Sequence, residues 1–271
     1  MYSRDQLAEG FRRLGVTPGD TILLHASVRA VGEIAGGPDQ IHLALKLALT
    51  ENGTLMMYAS CPNYTDEVGR GNLTPQQEQE ILEKLPSYDP LTARSQRENG
   101  TLVEFFRTYP GSRVNSHVAR FVVWGKQTHY LLSDQPWNYA FGVGSPLDRF
   151  SQIDGKILLL GCDHDNLTFL HFAEHVVDVP NKRVARFRVP IEEDGRRVWR
   201  EMEEFDTSGT PVHPNWPKDL FSRIVDGYLA KTGNVGGRIG SAQGYLLSAR
   251  DLLDYSLPIM KSLAAAVPTL E

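Results

Sequence analysis

The sequence predicts a single α/β domain over residues 1–271, built on a mixed, largely parallel sheet flanked by helices, with an antiparallel hairpin region toward the C-terminal end. Three observations predict it. A strand-like run Thr21–His25, a capped amphipathic helix from about Asp39 and a second strand-like run Thr54–Ala59 form a βαβ unit, and its crossover requires parallel pairing with a right-handed connection. The run Ile157–Leu160 is continuously apolar, too short for a helix of its own and stopped by Gly161, as in a strand covered on both faces. From Val184 the pattern changes to alternation on either side of Asp194-Gly195, which reads as a β-hairpin.

Taken in order, the opening MYSRDQLAEGFRRLGV reads as an amphipathic helix; its acidic residues and lack of an apolar h-region argue against a signal peptide. Strand Thr21–His25 exits into Ala26–Gly32, whose closely spaced backbone N–H groups, with Ser27 and Arg29, offer an anion cradle. It is neither GxxxxGK[ST] nor GxGxxG, and an ordinary strand exit explains its spacing equally well. After the turn Glu51–Gly53 and the second strand, residues 60–92 are long, polar and proline-bearing, with a helical piece near Gln76–Lys84. Segments of that length are usually functional or disordered. With Tyr58 at the end of the preceding strand, Tyr64, Asp66, Glu67, Tyr88 and Asp89 give it the aromatic and acidic mixture that suits a polar cation.

Gly100–Tyr109 reads as a further helix, and Pro110–Gly125 as a loop running into a strand, with Ser116 and His117 just ahead of it. Gln127–Leu132 begins another helix, and Ser145 caps a short one before the Ile157 strand. Beyond the hairpin come a helix over Pro217–Thr232 and a small-residue strand feeding a helix capped at Ser248.

The candidate site lies in the stretch Lys156–Arg183. Asp163–Asn166 carry turn and N-cap chemistry, so a helix is expected to begin near Asn166 or Leu167. On that helix Thr168, His171, Glu174 and His175 share one side at spacings of three and four, while Leu170, Ala173 and Val177 make an apolar stripe. In open parallel sheets ligands bind beyond the carboxyl ends of strands, where this turn would sit. An imidazole oriented there by a carboxylate can serve as a general base, since its ordinary pKa of about 6.5 is near working pH. Spacing alone leaves open the alternative of a solvated helix face.

Composition narrows the classes. The formal charge of −5 argues against a nucleic-acid binder and suits a cationic substrate. No apolar run reaches the length of a membrane span. Two cysteines, Cys61 and Cys162, point to a reducing, cytoplasmic setting. There is no CxxC or HExxH spacing, and His164, His171 and His175 lack a fixed ligand pattern, so no metal is expected. The absence of a GxSxG elbow weighs against a hydrolase built on Ser27 or Ser116. A non-catalytic binder of cationic sugars or polyamines would explain the acidic and aromatic segment, but not the histidine helix.

LLHASVRAVG, GGP, GTLMMYAS, GSPLDRF, GKILLLG, LTFLHFAEHVVDVPNKR, DTSG and GSAQGYLLSARDLL occur in that order between Leu23 and Leu253, within a resemblance that covers roughly Ser3 to Leu263. In order and spacing they resemble the aminoglycoside 3-N-acetyltransferases, a family distinct from the common GNAT acetyltransferases. The resemblance implies acetyl transfer from acetyl-coenzyme A to the 3-amino group of an aminoglycoside antibiotic, in a direct-transfer ternary complex. Another small amine is the alternative acceptor.

The resemblance also implies residue roles. The family's T-x-x-H-x-A-E segment falls on Thr168, His171 and Glu174, with His171 as base. Its HASxxxxG segment falls on His25–Gly32, so His25, Ser27, Val28, Arg29 and Val31, with Ser116 and His117, are expected at the cofactor. Tyr58, Tyr64, Asp66, Glu67, Asp165 and Asp206 are expected at the acceptor, Asp206 matching the Asp of a D-x-N-G element. The chain departs from the family at Asn115-Ser116-His117-Val118, where a proline is usual, at Ser95–Gly100, and at Cys61-Pro62-Asn63. These departures bear on the acceptor rather than the reaction. Monomer and homodimer both remain open.

Overall fold

Alternation along the central strands decides the layering. The computed structural model describes residues 1–61, 68–69, 71–207 and 211–266. Its elements are α1 (Arg4–Arg13), β1 (Thr21–Ala26), α2 (Val28–Val31), α3 (Asp39–Leu49), β2 (Thr54–Tyr58), α4 (Pro75–Lys84), α5 (Thr101–Thr108), β3 (Arg113–Val114), β4 (Phe121–Gly125), α6 (Thr128–Leu131) and α7 (Pro146–Gln152). There follow β5 (Lys156–Leu160), α8 (Phe169–Val176), β6 (Val184–Glu193), β7 (Arg196–Phe205), α9 (Leu220–Thr232), β8 (Gly237–Ile239), β9 (Ala242–Ser248) and α10 (Ala249–Ala265).

Strands β3-β4-β2-β1-β5-β9-β8 form one sheet in that order. β2, β1 and β5 are mutually parallel, and β3 and β8 run the same way; β4 and β9 are opposed. Leu23, Met56, Ile157 and Leu159 face one core, which α7 to α10 close with Phe150, Phe169, Leu170, Ile224 and Leu252. Ile22, Leu24, Leu158 and Leu160 face the other, closed by Leu7, Phe11, Ile41, Leu45 and Phe106 from α1, α3 and α5. Both faces of β1 and β5 are thus buried, which is why their sequences are continuously apolar. The result is a single α/β domain of three layers.

The hairpin β6–β7 pairs Val184 with Phe205 through to Glu193 with Arg196. Its two-residue turn puts Asp194 at φ 51° and Gly195 at φ 70°, the double left-handed geometry that Asp-Gly favours. The hairpin packs Val189, Ile191 and Met202 against Tyr88 and Cys61, so it belongs to the wall of the molecule near the ends of β2 and β4. Arg120, fully buried there, donates to the carbonyl oxygens of Ala59, Pro90 and Ala93, tying the exit of β2 to the segment after Tyr88.

Several boundaries differ from the sequence reading. Ala26–Gly32 is not an open loop: Ser27 caps the one-turn helix α2, its Oγ accepting from the Ala30 N–H at 3.3 Å. α9 starts at Leu220, not Pro217, because residues 217–219 are spent in a turn. A two-residue strand, β3, forms within the stretch read as a loop. The expected start of the site helix is split between a 3-10 turn at His164–Asn166 and α8 proper, since Asp163 caps the turn and not the helix.

Candidate active site

β5 delivers the chain to the carboxyl edge of the sheet, and the turn at 164–166 sends it back as α8. Leu170 and Ala173 of α8 are fully buried in the core, and that anchoring turns His171 toward the sheet edge. Three residues on, Glu174 is only 4% exposed. His171 Nδ1 lies 2.7 Å from Glu174 Oε2. A carboxylate only accepts, so the ring donates from Nδ1 and leaves Nε2 available. The ring is packed between Phe141, 5.2 Å away centroid to centroid, and Phe221, 5.0 Å away edge-on.

His171 stands in the wall between two cavities. The larger, about 540 Å³, lies over the ends of β1, β2 and β5 and is lined among others by His25, Ser27, Tyr58, Cys162, Thr168 and His171. The smaller, about 350 Å³, is lined by Thr207, Lys218 and Phe221 among others. Asp165 and His171 line both, and Glu174 lines the smaller. Asp165 is held by its Oδ1, which accepts from the Ser222 N–H at 3.0 Å. A proton acceptor with its carboxylate partner thus sits where two bound molecules could meet.

Thr168 is buried, lines the larger cavity and makes no side-chain capping bond, so its hydroxyl is available to a ligand. His25 Nε2 is sealed from water with no partner. Burial, reinforced by the nearby His171 ring, pushes the His25 pKa down to about 4. Cys162 Sγ donates to the His25 carbonyl at 3.5 Å, and burial raises its thiol pKa.

The remaining sequence candidates disperse. Ser27 lines the larger cavity, but its N–H is committed to the Leu160 carbonyl. Arg29 is exposed and outside that lining, Val28 packs against the second core, and the Val31 side chain is fully buried within it. Ser116 and His117 line a different cavity of about 490 Å³, with Trp137 and Glu192. His117 Nδ1 accepts from the Ala119 N–H at 2.9 Å, and burial lowers its pKa to about 4. Asp206 lies 3.6 Å from Arg183 and lines neither cavity, although its neighbour Thr207 does. Tyr64, Asp66 and Glu67 fall outside the described residues.

Sequence reasoning missed Phe141, Phe221 and Lys218, and also Glu98, Asn99 and Gly100, which line the larger cavity. The last three fall in the Ser95–Gly100 departure, the one signal that could have flagged them. Among the described residues no helix is long and apolar enough to cross a membrane, and no three His, Cys, Asp or Glu side chains group as a metal site.

The family model described as aminoglycoside 3-N-acetyltransferase matches residues 23–261. The chain belongs to the aminoglycoside 3-N-acetyltransferase family. Membership makes it an acyltransferase of this type. The aminoglycoside N(3)-acetyltransferase III of Pseudomonas aeruginosa is 38% identical over 262 residues, covering 96% of this chain and 94% of that relative. The type VIII enzyme of Streptomyces fradiae is 34% identical over 96% of this chain and 92% of its own. A solved structure, AAC-IIIb binary with CoASH, superposes with a TM-score of 0.89 at 35% identity, covering 98% of this chain and 99% of the other. AAC-VIa bound to sisomicin matches with a TM-score of 0.89 at 32% identity and the same coverage.

Proposed function

We propose that this protein transfers the acetyl group of acetyl-coenzyme A to the 3-amino group of an aminoglycoside, with His171 as general base, in one direct step. The observation that carries the reading is the His171–Glu174 pair in the wall shared by two cavities. Relatives named for this activity, one solved with CoASH and another with sisomicin, support the donor and the class of acceptor.

The residues suit the donor in kind. Leu24, Met57 and Tyr58 give the larger cavity an apolar wall, and His25 lines it beside them. Acetyl-coenzyme A supplies the activated thioester. The Thr168 hydroxyl, in the wall of the larger cavity, is the donor offered to the thioester oxygen.

An ammonium group cannot attack until it loses a proton. That first proton is lost to solvent; as the free amine forms the N–C bond, His171 Nε2 takes a second proton from nitrogen, the C–S bond breaks, and the imidazolium passes its proton to the departing coenzyme A sulfur. Glu174 fixes the tautomer and stabilises the charged ring; general-base help of this kind contributes about 10²- to 10⁴-fold. Asp165, facing both cavities, binds another ammonium of the acceptor. Cys61 and Cys162 are free thiols, in keeping with a reducing compartment.

The test is to incubate the protein with acetyl-coenzyme A and a panel of aminoglycosides and to follow free thiol. Release that requires an acceptor supports transfer. Release without one would mean a hydrolase, and none with any aminoglycoside would remove this acceptor class.

A further inference from the structure

One turn beyond the base, His175 makes contacts that neither cavity explains. Its side chain is 2% exposed. Nδ1 lies 2.6 Å from the carbonyl oxygen of His171, which only accepts, so this nitrogen carries a proton. Nε2 lies 2.5 Å from Glu204 Oε1, on β7 of the hairpin. Glu204 in turn accepts from the Phe205 N–H at 2.8 Å and, through Oε2, from the Ala140 N–H at 2.6 Å.

Ala140 immediately precedes Phe141, whose ring packs tilted against His171 at 5.2 Å and against Tyr58 at 5.6 Å. The His175 ring also lies edge-on to Phe141 at 5.9 Å and to Phe205 at 5.0 Å. A Cβ at Gly142 would lie 3.4 Å from His175 Cδ2, so the loop after Phe141 runs at van der Waals distance from this ring. One buried imidazole therefore joins the backbone of the base, the hairpin and the loop that presents the aromatic wall of the base.

We propose that His175 and Glu204 are positioning residues, which hold α8, the hairpin and the Phe141 loop in register so that the His171 ring keeps its contact with Glu174. This rests on the reading of His171 as base. The physical reason is that carbonyl and carboxylate lie on opposite sides of one rigid ring, so α8 cannot roll or slide against β7 without breaking a buried hydrogen bond. Lys182 adds a third tie at that end of the helix, its Nζ donating to the His175 carbonyl at 3.1 Å.

Two conservative variants separate the halves of the bridge. His175→Asn keeps a donor near the Nδ1 position and loses the reach to Glu204; His175→Gln does the reverse. In both, kcat is expected to fall at least about tenfold, since misplacement by an ångström can cost about 10². KM for each substrate should stay within about twofold. The distinguishing readout is the His171 Nδ1–H resonance in ¹⁵N-histidine-labelled protein, which should shift or broaden in both variants. Glu204→Gln, able to keep a hydrogen bond to the ring, should recover more of wild-type kcat than Glu204→Ala.

Wild-type kcat with an unmoved resonance would overturn the proposal. So would a rate loss accounted for entirely by a smaller folded fraction, with the resonance unmoved in the folded remainder. If His171→Ala instead kept full turnover, the base assignment would fall, while the resonance would still decide whether His175 positions that ring.

Discussion

His171 and His117 both sit at the carboxyl edge of the sheet's parallel centre, beside cavities of comparable size, yet their surroundings give them opposite chemistry. His171 retains 26% of its side-chain exposure and has a buried carboxylate on Nδ1. His117 is 2% exposed; its Nδ1 is occupied by a backbone N–H, and its ring is packed 4.6 Å from Trp137. Burial holds it neutral far below working pH. A histidine becomes a candidate base through an anionic partner and an open second nitrogen, not through its place at a strand end.

The sharpest way to break this contrast is kinetic. His171→Ala should lower kcat at pH 7 by about 10²- to 10⁴-fold, whereas His117→Ala should change it by less than about tenfold, both followed by acceptor-dependent thiol release. Equal losses would put a proton-transfer role back on His117. Raising the pH should partly restore His171→Ala by supplying free amine.

Glu174→Gln comes next, with kcat down about 10- to 100-fold and KM for acetyl-coenzyme A near its original value. A pure binding defect, with KM raised and kcat intact, would mean that Glu174 belongs to a ligand and not to the ring.

The third contrast is in stability. The folded pKa of His117, about 4, lies below its ordinary 6.5, so only the unfolded chain takes up this proton as pH falls from about 6.5 to about 4, and folding weakens across that window. Relative to His117→Gln, the wild type should lose about 2 kcal/mol between pH 7 and pH 4.5 in urea titrations. Glu104 acts in a lower window. Burial alone would raise its pKa, but hydrogen bonds from Arg107, the Ser95 N–H and Arg94 outweigh that and bring it to about 2. Its contribution is present above about 4.5 and fades as pH drops toward 2. A wild-type curve flat from pH 7 to 4.5 would show that His117 protonates in place.

The smallest expected effect compares the two cavities. Asp165→Asn should raise the acceptor KM several-fold and leave that for acetyl-coenzyme A unchanged, while Asp134→Asn, in the His117 cavity, should move neither. An acceptor KM responding to Asp134 would extend the acceptor site to that cavity.

By itself the sequence determined the elements whose signals are local. The apolar runs of β1, β2 and β5, the Asp194-Gly195 turn and the caps at Ser145 and Ser248 follow from periodicity and turn chemistry within a few residues. The same locality made the His171–Glu174 pair legible, since three residues along a helix bring two side chains to one face.

Only the tertiary structure decided what surrounds the pair. Phe141, Phe221 and Glu204 reach His171 or His175 from 29 to 50 positions away along the chain, through loop, helix and hairpin placements that no local pattern encodes. Burial likewise separated Val31, inside the second core, from Ser27, in the cavity wall, although they are four residues apart in one short segment. Whether a polar group is desolvated, partnered or open to a ligand depends on what packs over it, and that is fixed only when the layers close.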